Sequence, residues 1–222
     1  MKRVIAIDGP SGSGKTTVAK IIAQELGFNY LDTGALYRAV ALALRYYNIT
    51  PEDDDGRIKE VLANIVVAFR DGSVILNGKD VSEDIRSKDM DYYSSVFSAR
   101  KVVRDFLLDA QRQAALHNDL VVEGRDTATV VFPNATKKIF LDASVEERAK
   151  RRYNQSTGRG IEISLDEARE KIIERDQRDS SRDIAPLRAA EDALLVDSSS
   201  LSIEQVKKEI LEHVRSDLKI TL

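Results

Sequence analysis

Short apolar runs alternate along this chain with longer segments in which apolar residues recur every three to four positions. Such runs are typical of buried parallel strands, and the longer segments are typical of amphipathic helices that cross between them. The apolar runs predict five strands, at residues 4–7, 28–31, 120–123, 138–142 and 193–197. The order of elements therefore predicts an α/β fold, a doubly wound five-stranded parallel sheet with crossover helices.

The helical segments carry their own start and stop signals. Gly27 ends the first helix, Pro186 follows the segment 164–182, and Ser202 with Gln205 forms a capping box at the start of the last helix. The acidic run 52–55 could hold a metal, but it is more typical of a solvated helix N-terminus. Helices are predicted after the glycine-rich loop up to residue 26 and at 34–47, 56–64, 88–117, 145–153, 164–182 and 202–216.

The apolar period changes between residues 65 and 81. Short alternating runs there are separated by an Asp71-Gly72 turn and an Asn77-Gly78 turn, which predicts a small antiparallel β insert. We therefore interpret residues 1–222 as a single domain with an insert at about 61–94 and a helical lid at about 151–184. The core is predicted to comprise residues 1–60, 95–150 and 185–222.

The composition of the chain limits the partners, reactive groups and metal sites that can be expected. The 222 residues are enough for one domain with a sizeable core, and the net charge of −3 argues against a nucleic acid polymer as partner. Absence of cysteine excludes thiolate catalysis and cysteine–zinc sites, and two histidines make a histidine-rich metal site an unattractive hypothesis. A strand that begins at residue 4 leaves no room for a signal peptide, and no apolar stretch approaches the roughly 18 residues of a membrane span. We expect a cytoplasmic protein without a membrane partner.

The glycine-rich segment 9–16 joins the first strand to the first helix and has the P-loop spacing Gly-x-x-x-x-Gly-Lys-Thr. Its glycines allow backbone N–H groups to curl around a phosphate, and the helix N-terminus adds partial positive charge. Lys15 can reach the outer phosphates, and the Thr16 hydroxyl can ligate Mg²⁺. The alternative is a glycine-rich turn without a ligand, but spacing, Lys-Thr and flanking elements all agree with a nucleoside triphosphate site.

Arginines are concentrated near the end of the chain, with nine between residues 148 and 188. Arg175, Arg178, Asp179 and Arg182 have helical offsets of 0, +3, +4 and +7, which places them on one helix face. A surface ladder of ion pairs is one alternative, although Arg before Asp at i,i+4 is the weaker orientation. An RNA-binding face around 148–152 is another, although the interleaved carboxylates would repel a nucleic acid. We predict an arginine-rich lid that delivers guanidinium groups to the triphosphate.

The same pattern indicates what accepts the phosphoryl group. A hydroxyl acceptor usually needs a carboxylate to take its proton, whereas the attacking oxygen of a nucleoside monophosphate is already anionic. Apart from the lid, arginines at Arg38 and Arg125 are available to hold a second anion, and no carboxylate stands out as a dedicated base. The residues therefore favour a nucleoside monophosphate as acceptor.

At this level of detail the chain resembles the bacterial cytidylate kinases, of the nucleoside monophosphate kinase group. The combination of Asp-Thr-Gly-Ala-x-Tyr-Arg at 32–38 with Gly-Arg-Asp at 124–126 is far more specific than a P-loop alone. The resemblance extends essentially from end to end, over the stretches 7–16, 32–38, 123–126, 131–133, 138–144, 146–149, 174–179, 185–187, 197–198 and 201–204. It implies an ATP-dependent transfer to CMP or dCMP in pyrimidine metabolism, with Mg²⁺ as cofactor and the insert as the monophosphate-binding subdomain.

The resemblance also implies roles for individual residues. Those implied to bind ATP are Gly9, Pro10, Ser11, Gly12, Ser13, Gly14, Lys15, Thr16, Thr17 and Arg151. Those implied to bind the acceptor are Thr33, Tyr37, Arg38, Ser94, Arg104, Arg125, Asp126, Arg175, Asp179 and Arg182. Those implied to act in catalysis are Lys15, Arg125, Arg178 and Arg182, and Thr16 is the implied Mg²⁺ ligand.

The same resemblance implies that Asp126 distinguishes cytosine from uracil. A carboxylate accepts a hydrogen bond from the N4 amino group of cytosine, whereas uracil presents an oxygen at that place. The chain departs from the family pattern at Glu123, where many relatives carry Asp, which leaves its contact with Mg²⁺ open. One extra residue before Arg104 leaves open whether Ser94 or Ser95 faces the base.

Two other functions fit parts of the pattern. A kinase for another small acceptor (UMP, AMP or a shikimate-like molecule) is the alternative enzyme, and the arginines with Asp126 argue against it. A nucleotide-gated switch should lack lid arginines. Because no long exposed apolar seam is visible, we expect a monomer that binds ATP, CMP and dCMP.

Overall fold

The computed structural model describes residues 2–70, 72–87 and 89–218. The strands are β1 (Val4–Asp8), β2 (Asn29–Asp32), β3 (Val67–Arg70), β4 (Ser73–Leu76), β5 (Lys79–Asp80), β6 (Leu120–Gly124), β7 (Lys137–Asp142) and β8 (Leu194–Asp197). The helices are α1 (Lys15–Leu26), α2 (Thr33–Tyr46), α3 (Asp55–Leu62), α4 (Met90–Phe97), α5 (Lys101–Gln113), α6 (Val145–Thr157), α7 (Leu165–Ser180) and α8 (Ile203–Leu218).

The predicted parallel sheet is confirmed, with strand order β2-β6-β1-β7-β8. All its pairings are parallel, and β1 lies at the centre between β6 and β7. Every residue of β1 is buried, which explains its uninterrupted apolar run. The carboxyl ends of these strands lie at one edge of the sheet, where ligands bind in open α/β folds.

Each face of the sheet packs against its own set of helices. Apolar residues of α1 and α8 cover one face, with Ile22 and Ile210 fully buried. Residues of α2 and α5, together with the small sheet, form the core on the other face. Leu36 and Leu44, about two helical turns apart on α2, both lie in this core. The amphipathic periodicity of these helices is therefore explained by their burial against the sheet.

The predicted antiparallel insert is also confirmed, as a separate sheet of order β3-β4-β5. Asn77 and Gly78 have φ angles of 50° and 82°, the left-handed conformation that two-residue hairpin turns of type I′ require. Asp71, half of the other predicted turn, lies outside the described residues.

The prediction of one helical stretch over 88–117 is wrong, because α4 and α5 are separate helices. Arg100 has an extended backbone, and its side chain donates hydrogen bonds to Asp55 and to the carbonyl oxygens of Pro51 and Asp53. These contacts hold the break between the helices at a point that has neither glycine nor proline. Lys88, the predicted start of the stretch, lies outside the described residues.

The two helices of the lid also differ in length from the prediction. Helix α6 continues to Thr157 rather than ending at Tyr153, and α7 ends at Ser180 rather than at about Arg182. Ser164 and Glu167 form a capping box at the start of α7. None of the helices in the described part of the chain has the length and hydropathy of a membrane span.

Candidate active site

A cavity of about 610 Å³ opens at the carboxyl edge of the parallel sheet, between the P-loop, the strand ends and the lid helices. Most of the predicted site residues line it. They are Ser11, Gly12, Ser13, Gly14, Lys15, Thr16, Thr17, Thr33, Tyr37, Arg38, Ser94, Arg125, Asp126, Arg151, Arg175, Asp179 and Arg182. The structure therefore brings residues from six separate segments of the chain to one cavity.

A side chain at Gly9 would clash with the neighbouring backbone, and one at Gly12 would strain the P-loop. Gly9 has a φ of 151°, and a Cβ there would lie 2.0 Å from the carbonyl oxygen of Leu141. Gly12 has a φ of 82°, and its Cβ would lie 3.1 Å from the Cβ of Arg148 on α6. The loop is thus pressed against β7 and the first lid helix, and glycine is required for this close approach.

Lys15 begins α1 at the floor of the cavity. Its ammonium group donates hydrogen bonds to the carbonyl oxygen of Pro10 at 2.6 Å and to Ser13 Oγ at 3.3 Å. Burial, with a smaller contribution from the positive charge of Arg125, lowers the pKa of Lys15 to about 7. An anion bound in the loop would favour the charged form and offset the cost of burying it.

Glu123, at the end of β6, connects the P-loop to β2. Its carboxylate accepts hydrogen bonds from Thr16 Oγ1 at 3.1 Å and from the Tyr30 hydroxyl at 2.5 Å. Burial and the nearby Asp32 carboxylate raise the pKa of Glu123 to about 7, against the opposing effect of Lys15. The departure from the family pattern at this position therefore keeps a carboxylate in contact with the hydroxyl of Thr16.

Asp126 also lines the cavity and forms a buried ion pair with Arg104. Arg104 also donates to the carbonyl oxygen of Ser98 at 3.1 Å, and its guanidinium lies 5.6 Å from the ring centre of Tyr37. Burial raises the pKa of Asp126, while Arg104 and Arg182 act to lower it. Arg104 does not line the cavity, but Asp126 and Tyr37, which it contacts, both do.

Asp179 of α7 is the second carboxylate surrounded by arginines. Its Oδ2 accepts a hydrogen bond from Arg125 Nε at 2.9 Å and lies 3.7 Å from Arg175 Nε. Burial acts to raise the pKa of Asp179, but Arg125, Arg175 and Arg182 outweigh it and the pKa lies below the usual range. Burial and the neighbouring Arg125 lower the pKa of Arg175 to about 9.

Arg182 lies just after α7, so the prediction that it shares one helix face with Arg175 is wrong. It still lines the cavity, where its NH1 donates to Ser98 Oγ at 3.3 Å. Two other nitrogens of its guanidinium, Nε and NH2, are buried and have no hydrogen-bond partner among the described residues. These donors are available for a ligand in the cavity.

Arg178 is the predicted catalytic residue that the structure places away from the large cavity. It lines a smaller cavity of about 180 Å³, where its guanidinium lies 5.6 Å from the ring centre of Tyr92. Its Nε donates to Ser95 Oγ at 3.3 Å. Ser94, by contrast, lines the large cavity. Of the two candidate serines, the structure therefore brings Ser94 to the predicted base pocket.

Arg151 of α6 joins the lid to the P-loop and to the end of β8. It donates to the carbonyl oxygens of Ser13 at 3.1 Å and Ser198 at 2.7 Å. Gly9 and Pro10 do not line the cavity, although the Pro10 carbonyl accepts from Lys15. The predicted ATP side is otherwise brought together as one surface.

Sequence reasoning missed several residues of the site. Ser198 follows β8, and its position at the carboxyl end of a parallel strand is a signal that could have identified it. Arg152 lines the large cavity, and Asp91 forms an ion pair with Arg152. No motif or strand end in the sequence marks either residue as part of the site. Their role depends on how α4 packs against α6 and α7.

The comparison with known proteins agrees with this geometry. The family model described as cytidylate kinase matches residues 5–216. This chain belongs to the cytidylate kinase family. Cytidylate kinase of Thermodesulfovibrio yellowstonii is 49% identical over 221 residues, 98% of this chain and 100% of that protein. Cytidylate kinase of Thermosipho melanesiensis is 46% identical over 216 residues, 97% of this chain and 98% of that protein.

A solved structure supports the fold alone. The crystal structure of an uncharacterized protein from Eubacterium ventriosum ATCC 27560 matches with a TM-score of 0.55 and 14% sequence identity. The match covers 97% of this chain and 99% of that protein. The resemblance seen in the sequence is thus confirmed as family membership, and the overall architecture agrees with a solved structure.

Proposed function

We propose that this chain transfers the γ-phosphoryl group of ATP to CMP or dCMP and releases ADP with CDP or dCDP. The observation that carries this proposal is the single cavity in which a P-loop faces a buried carboxylate, Asp126, surrounded by arginines. Cytidylate kinase relatives of nearly the same length support the same activity. A UMP, AMP or shikimate kinase is not favoured.

The donor half of the cavity is assigned to ATP. The P-loop residues 9–17 would surround the phosphates with backbone donors, and Lys15 would neutralise charge that develops on the transferred group. Arg151 would contact the triphosphate from the side of α6, because it already donates a hydrogen bond to the P-loop at Ser13.

The acceptor half is assigned to the monophosphate. Arg38, Arg125 and Arg175 would hold the acceptor phosphate, because all three line the cavity and guanidinium groups bind phosphate with paired donors. Asp179 and Arg175 would contact the sugar. An attacking phosphate oxygen is already anionic, so the arginines need only hold two anions together in line for transfer.

The base pocket is assigned to Asp126 with its neighbours. Arg104 and Arg182 hold positive charge next to this carboxylate and favour its ionised form, which accepts a hydrogen bond from N4 of cytosine. Ser94, Tyr37 and Thr33 would complete the walls around the base and sugar. The catalytic role of Arg178 stays a prediction, and its place in the smaller cavity suits an indirect role better than contact with the reacting phosphates.

The donor atoms near the P-loop fit a magnesium ion. Thr16 Oγ1 and Glu123 Oε2, 3.1 Å apart, are hard oxygen ligands, and Mg²⁺ is usually held by one or two such groups together with waters and substrate phosphates. When bound, Mg²⁺ would neutralise negative charge on the triphosphate. Thr16 would hold the ion directly, and Glu123 would orient the Thr16 hydroxyl or a bound water.

The remaining proposals concern organisation. We assign the insert (about 61–94) to acceptor binding, the lid (about 151–184) to closure over both nucleotides, and the rest of the chain to the core. We expect a monomer, and we expect it in the cytoplasm, where ATP and CMP are available together.

A coupled assay of ADP release across CMP, dCMP, UMP, AMP and shikimate tests the proposed function. We expect CMP and dCMP to give the highest kcat/KM, and we expect EDTA to abolish turnover until Mg²⁺ is restored. Comparable kcat/KM for AMP, UMP or shikimate would contradict the assignment of the acceptor.

A further inference from the structure

Asp91, near the start of α4, contacts the guanidinium groups of three arginines from three different helices. Its Oδ1 accepts hydrogen bonds from Arg38 on α2, at 3.3 Å from Nε and 3.2 Å from NH2. The same oxygen accepts from Arg175 NH1 on α7 at 3.4 Å, and Oδ2 pairs with Arg152 on α6. One carboxylate thus links the core helix α2 to both lid helices.

The three arginines reach the substrate cavity, and Asp91 does not. Arg38, Arg152 and Arg175 all line the large cavity, and Asp91 lines the smaller one together with Arg152 and Arg175. Contacts to Asp91 involve Nε and NH2 of Arg38, NH2 of Arg152 and NH1 of Arg175. Each guanidinium therefore keeps at least one other nitrogen outside the Asp91 contact, available for an anion in the cavity.

The positive charges of Arg38, Arg152 and Arg175 repel one another. Burial lowers the pKa of Arg152, and the charges of Arg38 and Arg159 lower it further. For Arg175, burial is again the largest cause of the lowered pKa, followed by Arg125. Asp179 opposes this shift, and both Arg38 and Arg152 add to it. Asp179 offsets part of this charge at Arg175, whereas Asp91 is the carboxylate that contacts all three guanidiniums.

We propose that Asp91 is a positioning residue that gathers Arg38, Arg152 and Arg175 at the cavity and competes with the acceptor phosphate for their charge. This inference rests on the proposed function, because it assigns these arginines to the phosphate of the monophosphate. The carboxylate holds the arginines together in the free enzyme and weakens their attraction for the phosphate when it binds.

An ion pair that only supports the fold is the alternative to this role. Partly exposed pairs contribute little to stability, and the Asp91 side chain is 25% exposed. Under that alternative, removing the charge would leave phosphate binding unchanged or impair it. Under the proposal, removing the charge strengthens the binding of anions, which a purely structural role does not do.

The test compares Asp91→Asn with Asp89→Asn, a matched control that removes an exposed charge two residues away. We expect Asp91→Asn to lower the KM for CMP on the order of threefold to thirtyfold, the size expected for one charge several ångströms from a phosphate. We expect kcat to stay at or below the wild-type value, because the arginines are less well held. Asp91→Glu, which keeps the charge, should restore a KM near that of the wild type.

A second measurement is independent of turnover. Thermal unfolding in increasing inorganic phosphate, without nucleotide, should show a larger stabilisation of Asp91→Asn than of the wild type or Asp89→Asn. Asp91→Ser is a second neutral variant should the first fail to fold. A KM that is unchanged or raised, a kcat above wild type, or a phosphate response equal to wild type would overturn the proposal. If the wild type fails to phosphorylate CMP, the proposed function fails, and the phosphate response still tests Asp91.

Discussion

The donor and acceptor halves of the cavity are built in different ways. The half that we assign to the donor is built mainly from one contiguous segment, residues 9–17, with Arg151 added from α6. Its phosphate-binding groups would be mainly backbone N–H groups, and its glycines allow close packing on β7 and α6. The acceptor half consists of side chains from distant elements, in which Asp91, Asp126 and Asp179 each pair with arginines.

The difference shows how each half can specify its ligand. Backbone donors at a helix N-terminus recognise phosphate in any nucleotide, so the donor half carries little information about the base. Paired side-chain charges fix both the position and the protonation state of each group, so the acceptor half can discriminate between bases. Substitutions should therefore affect overall rate in the first half and substrate choice in the second.

The largest effect is expected for Lys15→Ala. In the proposed function Lys15 would supply positive charge to the transferred phosphoryl group, and loss of one such contact typically lowers kcat about 10²- to 10³-fold. The hydrogen bonds of Lys15 are to Pro10 and Ser13 of the same loop, so we expect the variant to keep the wild-type fold. Steady-state kinetics with ATP and CMP check the rate, and thermal unfolding checks the fold. Lys59→Ala, exposed on α3, should keep the wild-type kcat, and an unimpaired kcat in Lys15→Ala would refute the role of Lys15.

Base choice is the next effect in size. If Asp126 reads the base as proposed, the O4 of a bound uracil would face this buried carboxylate, an unpaired polar contact that costs about 1–3 kcal/mol. We expect kcat/KM for CMP to exceed that for UMP roughly 5- to 150-fold. Asp126→Asn should narrow the ratio, because the amide can turn an N–H toward O4. It should do so mainly by weakening CMP, since an amide oxygen accepts a hydrogen bond more weakly than a carboxylate.

The ratio is the proper readout because Asp126 is also the ion-pair partner of Arg104. Breaking this buried pair lowers stability, but an unfolded fraction reduces both kcat/KM values equally and leaves their ratio unchanged. An unchanged CMP/UMP ratio in Asp126→Asn would show that another residue discriminates between the bases.

Arg182, Arg178 and Arg169 differ in position: Arg182 lines the large cavity, Arg178 lines the smaller one, and Arg169 lines neither of these two. Arg182→Ala removes a guanidinium from the large cavity and should lower kcat/KM for CMP about tenfold or more, as for a charged hydrogen bond. Arg178→Ala, in the smaller cavity, should have a smaller effect, and Arg169→Ala, half-exposed beside Glu146, should be nearly silent. Equal effects of Arg182→Ala and Arg178→Ala would show that this division by cavity does not matter for catalysis.

The smallest effect concerns pH and stability. Burial and Asp32 raise the pKa of Glu123 from 4.5 to about 7, so the folded protein holds this proton where the unfolded chain has lost it. The contribution of Glu123 to stability is therefore fully present below pH 4.5 and is lost as the pH rises through about 7. Glu123→Gln should reduce the loss of stability between pH 5 and pH 7, measured by denaturant unfolding. The exposed Glu60→Gln should leave it unchanged, and an identical pH dependence in Glu123→Gln would contradict the assignment.

The sequence predicted best what local patterns determine. The apolar runs predicted the buried strands, Gly27 ends α1 in the left-handed conformation, and the P-loop spacing identified Lys15 at the cavity floor. These features depend on residues close together in the chain. Glu123 was noted in the sequence only as a departure from the family pattern, and the structure places it at the end of a buried strand, in contact with Thr16.

Features that depend on distant contacts were not predicted. The break between α4 and α5 is stabilised by Arg100 through residues 51–55, some 45 positions earlier. Helical offsets placed Arg182 on the face of Arg175, but α7 ends at Ser180. Asp91 has no motif, and its place among three arginines follows from the packing of α4 against the lid.

Separate binding measurements on the two halves test this division most directly. Isothermal titration calorimetry would give the Kd of CMP and of a non-hydrolysable ATP analogue for the wild type, Lys15→Ala and Asp126→Asn. We expect Lys15→Ala to weaken only the ATP analogue and Asp126→Asn to weaken only CMP, each about tenfold or more. Loss of both affinities in either variant, or loss of the opposite one, would contradict a site built from two separately specified halves.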